Sequence, residues 1–307
     1  MGEIENLVFE GGGVLGFAYI GVIEVLEEKG ILKQCKCFAG SSAGAITAAL
    51  LACGATANIL ENALNTLDAT ELFDTSAFPP ANFYRLWHEG GWTKGKKLEL
   101  WIGDLLAVLC DGNRNITFAE VFEKFQTSVI VTGTCLETRK TEYFSKENNA
   151  NMPLAIAVRI SAGYPCVYPM VKFFNMHWWD GGIGDNYPIH VFDDKQSKHC
   201  SKRIPNQRTL GFKLVSQVDD AASSVPKPID NVQDALLSVG TMILEMSRSV
   251  HVKEIDWKRS VLIDIGTIGA IKFDISDEEK QFLIENGRRA TENFISTLDL
   301  SDEMKSE

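Results

Sequence analysis

Ser42 stands in the middle of Gly40-Ser41-Ser42-Ala43-Gly44, a G-x-S-x-G turn joining a strand-like run, Cys35 to Phe38, to a run of strong helix formers, Ala45 to Ala52. Strand, tight turn and helix make the setting of a nucleophile elbow. The flanking glycines let the chain reverse where a Cβ would clash, and the central serine is held strained with its hydroxyl exposed. The helix that follows aims its positive end at any anion formed beside Ser42. A plainer reading competes, because small residues in such a turn also let a helix pack closely on a sheet. Two other stretches carry residue types that could join Ser42. Glu3 to Phe9 reads as a first strand, and Gly11-Gly12-Gly13-Val14-Leu15-Gly16 follows it, a loop whose N–H groups could face an oxyanion. Asp180 opens Asp180-Gly181-Gly182 after a short strand; taken alone, it is a turn former whose carboxylate bonds its own backbone.

Other chemistries fit less well. Gly11, Gly13 and Gly16 satisfy G-x-G-x-x-G, but a dinucleotide site needs an acid at the end of the second strand, and Ala39-Gly40-Ser41-Ser42 stands there. An ordinary α/β-hydrolase triad places its elbow after several strands and its histidine last, so Ser42 comes too early. His88, His177, His190, His199 and His251 have no motif around them.

A glycine loop after strand one, G-x-S-x-G after strand two and a late D-G-G, in that order and at these separations, resemble the patatin-like phospholipase family. The resemblance runs from Ile4 to Leu214. It includes Thr134-Cys135-Leu136-Glu137-Thr138 at a strand end and the proline-punctuated loop Arg159 to Pro169. It implies that Ser42 is a nucleophile and Asp180 its base, with the Gly11-Gly12-Gly13 backbone as oxyanion hole and Gly16, Gly40, Gly44, Gly181 and Gly182 as motif positions. The implied fold is a three-layer α/β/α sandwich around a mainly parallel sheet. The implied activity is hydrolysis of phospholipid or other acyl esters, with no metal or cofactor. A carboxylate base without histidine needs desolvation to raise its pKa, and Trp178 and Trp179 are suited neighbours. The chain departs from the family at Leu15, where Arg or Lys is usual, and at Asp185, where Asn is frequent. A basic residue at 15 that lends charge to the oxyanion would make Leu15→Arg about tenfold faster or more. Asp185 is expected to bring a second carboxylate near the site. Leu15 keeps open a patatin-fold binding or scaffold protein with weakened catalysis; a Ser-His-Asp esterase is the remaining alternative.

The elements that must position these residues follow in order. Phe17 to Lys29 reads as a buried helix ended by Gly30, and Gly54 to Asp74 as helical before it breaks. Phe73 to Trp92 holds Phe78, Pro79-Pro80, Phe83, Tyr84 and Trp87 with little period; it reads as a cap over the site, with lipid contact the alternative. Leu98 to Leu109 and Asn113 to Gln126 are helical, the second with a capping box at Thr117 and Glu120. Ser128 to Thr134 is a central strand, Glu142 to Ser145 its hairpin neighbour, and Asn151 to Ser161 a helix. Asp193 to Gln207 reads as a polar surface loop, Thr209 to Val215 as a strand and Asp219 to Pro228 as a linker. Asp230 to His251 is helical, Val261 to Ile265 a last strand and Ser276 to Leu298 a closing amphipathic helix capped by Ser276. Residues 1–215 are expected to form the catalytic domain, with 216–307 an extension packed on it.

Composition narrows the partners. The chain has 307 residues, 45% of them hydrophobic, ample for a large core. A net charge of −11 would repel a phosphate backbone, which excludes nucleic acid as an expected partner. Cys35, Cys37, Cys53, Cys110, Cys135, Cys166 and Cys200 form no C-x-x-C and are odd in number, the usage of a reduced intracellular protein. No apolar run approaches the ~18 residues of a membrane span, and Asn6 stands where a myristoylation signal wants Ser or Thr. The expected protein is cytoplasmic, at most peripheral to membranes, and an activating protein partner is left open.

Overall fold

The computed structural model describes residues 3–65, 74–76, 78–195, 203–216, 253–272 and 274–306, with 235, 238–242 and 247 between them. Its strands are β1 (Asn6–Phe9), β2 (Cys37–Gly40), β3 (Ser128–Cys135), β4 (Lys140–Phe144), β5 (Val171–Phe173), β6 (Met176–Asp180), β7 (Asp194–Lys195), β8 (Arg203–Ile204), β9 (Thr209–Val215) and β10 (Ser260–Asp264). The helices are α1 (Ala18–Glu28), α2 (Ala43–Ala52), α3 (Ala57–Asn65), α4 (Pro79–Glu89), α5 (Lys96–Leu109), α6 (Phe118–Phe125), α7 (Lys146–Asn149), α8 (Leu154–Ser161), α9 (Glu254–Trp257) and α10 (Asp277–Ser306). The linker at 219–228 lies outside the described residues, as do Phe73, His199, His251 and most of 230–251.

The sheet runs β10-β9-β1-β2-β3-β6-β5, with β4 also on β3. Its body from β10 to β3 is parallel throughout. β1 lies at the centre and reads Asn-Leu-Val-Phe, all buried, as a parallel strand covered on both faces must be. Leu7, Phe9, Phe38, Val129 and Val131 face the main core with α1, α2, α5, α8 and α10. Val8, Ala39 and Ile130 face the opposite side, covered by Tyr187, Ile189, Val191 and Phe192. The arrangement is the three-layer α/β/α fold, with a thinner second outer layer.

β3 is paired twice along one edge. Val131 faces Gly40 of β2 and Phe144 of β4, while Thr134 faces Trp179 of β6 and Thr141 of β4, so β2 and β6 share the edge opposite β4. β2 takes Ser128 to Val131 and β6 takes Gly133 to Cys135. One strand is parallel to β3 and the other antiparallel. Their carboxyl ends therefore meet head to head.

The residues after 215 continue the same packing: β10 pairs with β9, and α10 lies on α1. A Cβ on Gly21 would run into the Ile284 carbonyl and one on Gly287 into the Ala18 carbonyl, so these two helices approach at a distance that only glycine permits. Arg288 spans the rim, bonded to Glu24 and Glu28.

Three segments differ from the sequence reading. Within 73–92, where the sequence shows little period, Pro79–Glu89 form the helix α4, and Pro79 and Pro80 begin it because proline is tolerated in the first helical turn, where its missing N–H would be unpaired. Residues 193–207 include the β7–β8 hairpin, and Asp193, Arg203, Asp256 and Arg259 form a buried ion network beneath it. The closing helix continues from Leu298 to Ser306. Its start is capped as expected, the Glu279 N–H donating to Ser276 Oγ.

Candidate active site

β2 ends at Gly40 and α2 begins at Ala43, so the chain reverses within Ser41 and Ser42. Ser42 is forced to φ +50° and ψ −122°, outside the regions open to L-residues, at a cost on the order of 1–3 kcal/mol. The two flanking glycines make this possible. A Cβ on Gly40 would collide with the Gly44 carbonyl, and one on Gly44 with the carbonyls of Phe9 and Glu10. Ser42 N–H donates to Ser161 Oγ at 3.0 Å, and its hydroxyl donates to Asp180 Oδ2 at 3.0 Å.

Asp180 closes β6 at the head-to-head junction. Its N–H donates to the Gly163 carbonyl at 3.2 Å, and its carbonyl accepts Thr134 Oγ1 at 2.8 Å. Oδ1 takes the Gly182 N–H at 2.8 Å, the local bond of an Asp-Gly-Gly turn, which leaves Oδ2 for Ser42. The side chain is fully buried. That burial pushes its pKa up to about 7, against the opposing pull of the Gly182 and Ser42 hydrogen bonds and the Arg159 guanidinium. Trp178 is buried edge-on to Phe144, and Trp179 donates to the Tyr168 carbonyl at 3.2 Å.

The glycine loop sits on a buried ion pair. Glu10 is fully buried; its carboxylate accepts Lys213 Nζ at 2.8 Å and the Leu214 N–H at 2.7 Å. Gly11 donates its N–H to the Asn186 carbonyl at 3.0 Å and accepts Asn186 Nδ2 at 2.9 Å. Of the three expected oxyanion donors, Gly11 is therefore already engaged. Gly12 and Gly13 N–H have no hydrogen-bond partner among the described residues. Gly13 adopts φ +54°.

Leu15 is fully buried in the main core. An arginine there would bury an unpaired cation, so the gain in turnover expected from Leu15→Arg has no structural basis. Asp185 does not add a carboxylate beside Ser42: Oδ2 accepts the Tyr143 hydroxyl at 3.0 Å and lies 3.6 Å from His190 Nδ1. Among the described histidines, His88 stacks on Tyr84, His177 Nδ1 lies 2.6 Å from Glu137 Oε1, and His190 contacts Tyr143. None bonds Ser42 or Asp180.

Sequence reasoning missed five contributors. Ser161 and Arg159 lie inside or beside the proline-punctuated segment, and Asn186 lies six residues after Asp180, so proximity to the motifs was a usable signal for these three. Glu10 and Lys213, 203 residues apart, give no such signal as a pair. Together the groups place a strained hydroxyl on a desolvated carboxylate, with open N–H donors on the neighbouring loop. This arrangement can perform acyl transfer.

A model described as patatin-like phospholipase matches residues 7–193. The uncharacterized protein R571 of Acanthamoeba polyphaga mimivirus is 29% identical over 96% of this chain and 95% of its own length. A probable lipid hydrolase, 463L of Invertebrate iridescent virus 6, is 26% identical over 67% of this chain and 70% of its own. The crystal structure of VipD from Legionella pneumophila shares the fold, with a TM-score of 0.62 and 16% identity, over 96% of this chain and 67% of that one.

Proposed function

Because the chain belongs to the patatin-like phospholipase family, we propose that it is a lipid acyl hydrolase of the phospholipase A type, working through Ser42 and Asp180 without histidine. Asp180 Oδ2 accepts the Ser42 proton as Oγ attacks the ester carbonyl. The negative charge that develops on the carbonyl oxygen is held by the Gly12 and Gly13 N–H groups and the amino end of α2, while Gly11 anchors the loop to Asn186. Asp180 returns the proton to the leaving alcohol. It then takes one from the water that attacks the acyl-serine and gives it to Ser42 Oγ as the fatty acid leaves, which restores the hydroxyl and the carboxylate.

The observation that carries this reading is the 3.0 Å bond from Ser42 Oγ to a fully buried carboxylate with its pKa near 7. A general base is most effective when its pKa lies near working pH. The described histidines are engaged elsewhere, which supports a base other than histidine.

The test is hydrolysis of a soluble short-chain ester and of phospholipid, with fluorophosphonate labelling of Ser42. Ser42→Ala and Asp180→Asn should each remove nearly all turnover, and the double variant should be little worse than either, because nucleophile and base act as a unit. A well-folded histidine variant as damaged as Asp180→Asn would replace this mechanism with a Ser-His-Asp triad.

A further inference from the structure

α4 is built inside out. Its inward side is polar: Asn82, 4% exposed, exchanges two hydrogen bonds with the Ser76 backbone, and Arg85 Nη1 donates to the Trp92 carbonyl at 3.1 Å. Its outward side is aromatic. Phe83, Tyr84 and Trp87 recur at helical spacing and are 51%, 64% and 86% exposed; Phe78 at the cap is 65% exposed. A single exposed ring is ordinary, but three on one face of one short helix, with a fourth at its cap, form a patch that water solvates poorly.

The charges around the patch are the reverse of the molecule's. Residues 74–97 contain four basic side chains, Arg85, Lys94, Lys96 and Lys97, against two acidic ones, in a chain of net charge −11. Lys94 and Lys97 are exposed and make no ion pair among the described residues.

The helix is also strapped to the site. Met170 N–H donates to the Glu89 carbonyl, Trp92 N–H to Cys166 and Thr93 N–H to Val167, each at 2.9 Å. The segment that receives these bonds begins at Gly163, whose carbonyl holds the Asp180 N–H. The end of α4 is thereby linked, through this segment, to the strand end that carries Asp180.

We propose that the outward face of α4, with Phe83, Tyr84 and Trp87 as its aromatic centre, Phe78 at its cap, and Lys94 and Lys97 exposed in the segment that follows it, is the surface by which the protein lies on an anionic lipid layer. The choice of lipid as occupant rests on the acyl-hydrolase reading. The chemistry of the face also favours it: Trp and Tyr rings settle at headgroup depth, and lysines beside them meet lipid phosphates. The aromatic segment is then a foot beside the site rather than a lid packed over it.

The test uses the full chain carrying Ser42→Ala, so that vesicles survive, and measures co-sedimentation with phosphatidylcholine vesicles with and without about one-third phosphatidylglycerol. Tyr84→Ala with Trp87→Ala should weaken binding to both at least tenfold. Lys94→Glu with Lys97→Glu should weaken binding to the anionic vesicles alone, and more so at low salt. In the Ser42 background, the aromatic double variant should lose several-fold more activity on vesicles than on a soluble ester. Because all four residues are exposed, thermal melting should show the variants folded. Vesicle binding that ignores the aromatic pair, or equal losses on both substrates, overturns the proposal. So does a dimer that depends on Trp87 in a protein that binds no vesicles. The two readings fail separately. Aromatic-dependent vesicle binding without any ester hydrolysis would keep the surface and sink the hydrolase, and Ser42-dependent ester hydrolysis without vesicle binding would do the reverse.

Discussion

At the scale of the residue, the carboxyl of Asp180 links activity and stability to pH. With its pKa near 7, the fraction of enzyme holding a usable base falls about tenfold for each pH unit below that value. kcat/KM on a soluble ester should therefore climb with unit slope to about pH 7 and level off above it. A plateau already complete at pH 5 would contradict a desolvated base. Stability runs the other way. A carboxyl whose pKa is raised on folding favours the folded state only while protonated, an advantage fully present below the unfolded value near 4 and lost as pH rises toward 7. Asp180→Asn should thus gain stability relative to the parent between pH 4 and 7, on the order of 4 kcal/mol in full. Urea midpoints for the pair at pH 4.5 and 8 measure it, and a difference that does not grow with pH counts against the buried charge. Ser42 was legible locally, by the flanking glycines that its φ of +50° requires, whereas Asp180 alone reads as a turn former and was legible only through the order of the three motifs along the chain. The engagement of Gly11 was not legible: each residue lies in or near a motif, but Asn186 is 175 residues away and nothing in the sequence marks the two as a pair. The burial of Leu15 was not legible for a related reason: the core that encloses it comes from other elements.

At the scale of the element, regular periodicity translated well and its interruptions did not. β9 was legible to the residue, and α6 with its capping box nearly so, because their signals lie within the segment itself. α4 was not legible. Its outward aromatics and inward Asn82 invert the usual pattern, so a search for a buried apolar stripe finds none. The α1–α10 contact shows a further limit, since Gly21 and Gly287 look unremarkable until their backbones are seen to touch. Gly287→Ala removes a helix-weakening glycine, worth up to about 1 kcal/mol in its favour, but drives a methyl into the Ala18 carbonyl, costing about 1–3 kcal/mol by overpacking. Net destabilisation is expected from denaturant unfolding. An unchanged or raised midpoint would mean that α10 can shift without loss.

At the scale of the whole molecule, the three-layer class was implied by the family resemblance, whereas the order of strands had to be seen. No described helix is long and apolar enough to cross a membrane. The head-to-head junction on β3 has a consequence in time as well as in space. Its two halves, β2 and β6, are brought together from distant parts of the chain, and the residues they deliver, Ser42 and Asp180, are 138 positions apart. Local helices can form within microseconds, but pairings across such separations are slow because a long loop must close before they give any return. During refolding from urea, far-UV circular dichroism should therefore recover ahead of ester hydrolysis, with activity following the slowest phase alone. Simultaneous recovery of both signals would mean that the junction is already assembled when the helices form. Turnover in this protein would otherwise serve as a clock that starts only when the last distant strand arrives.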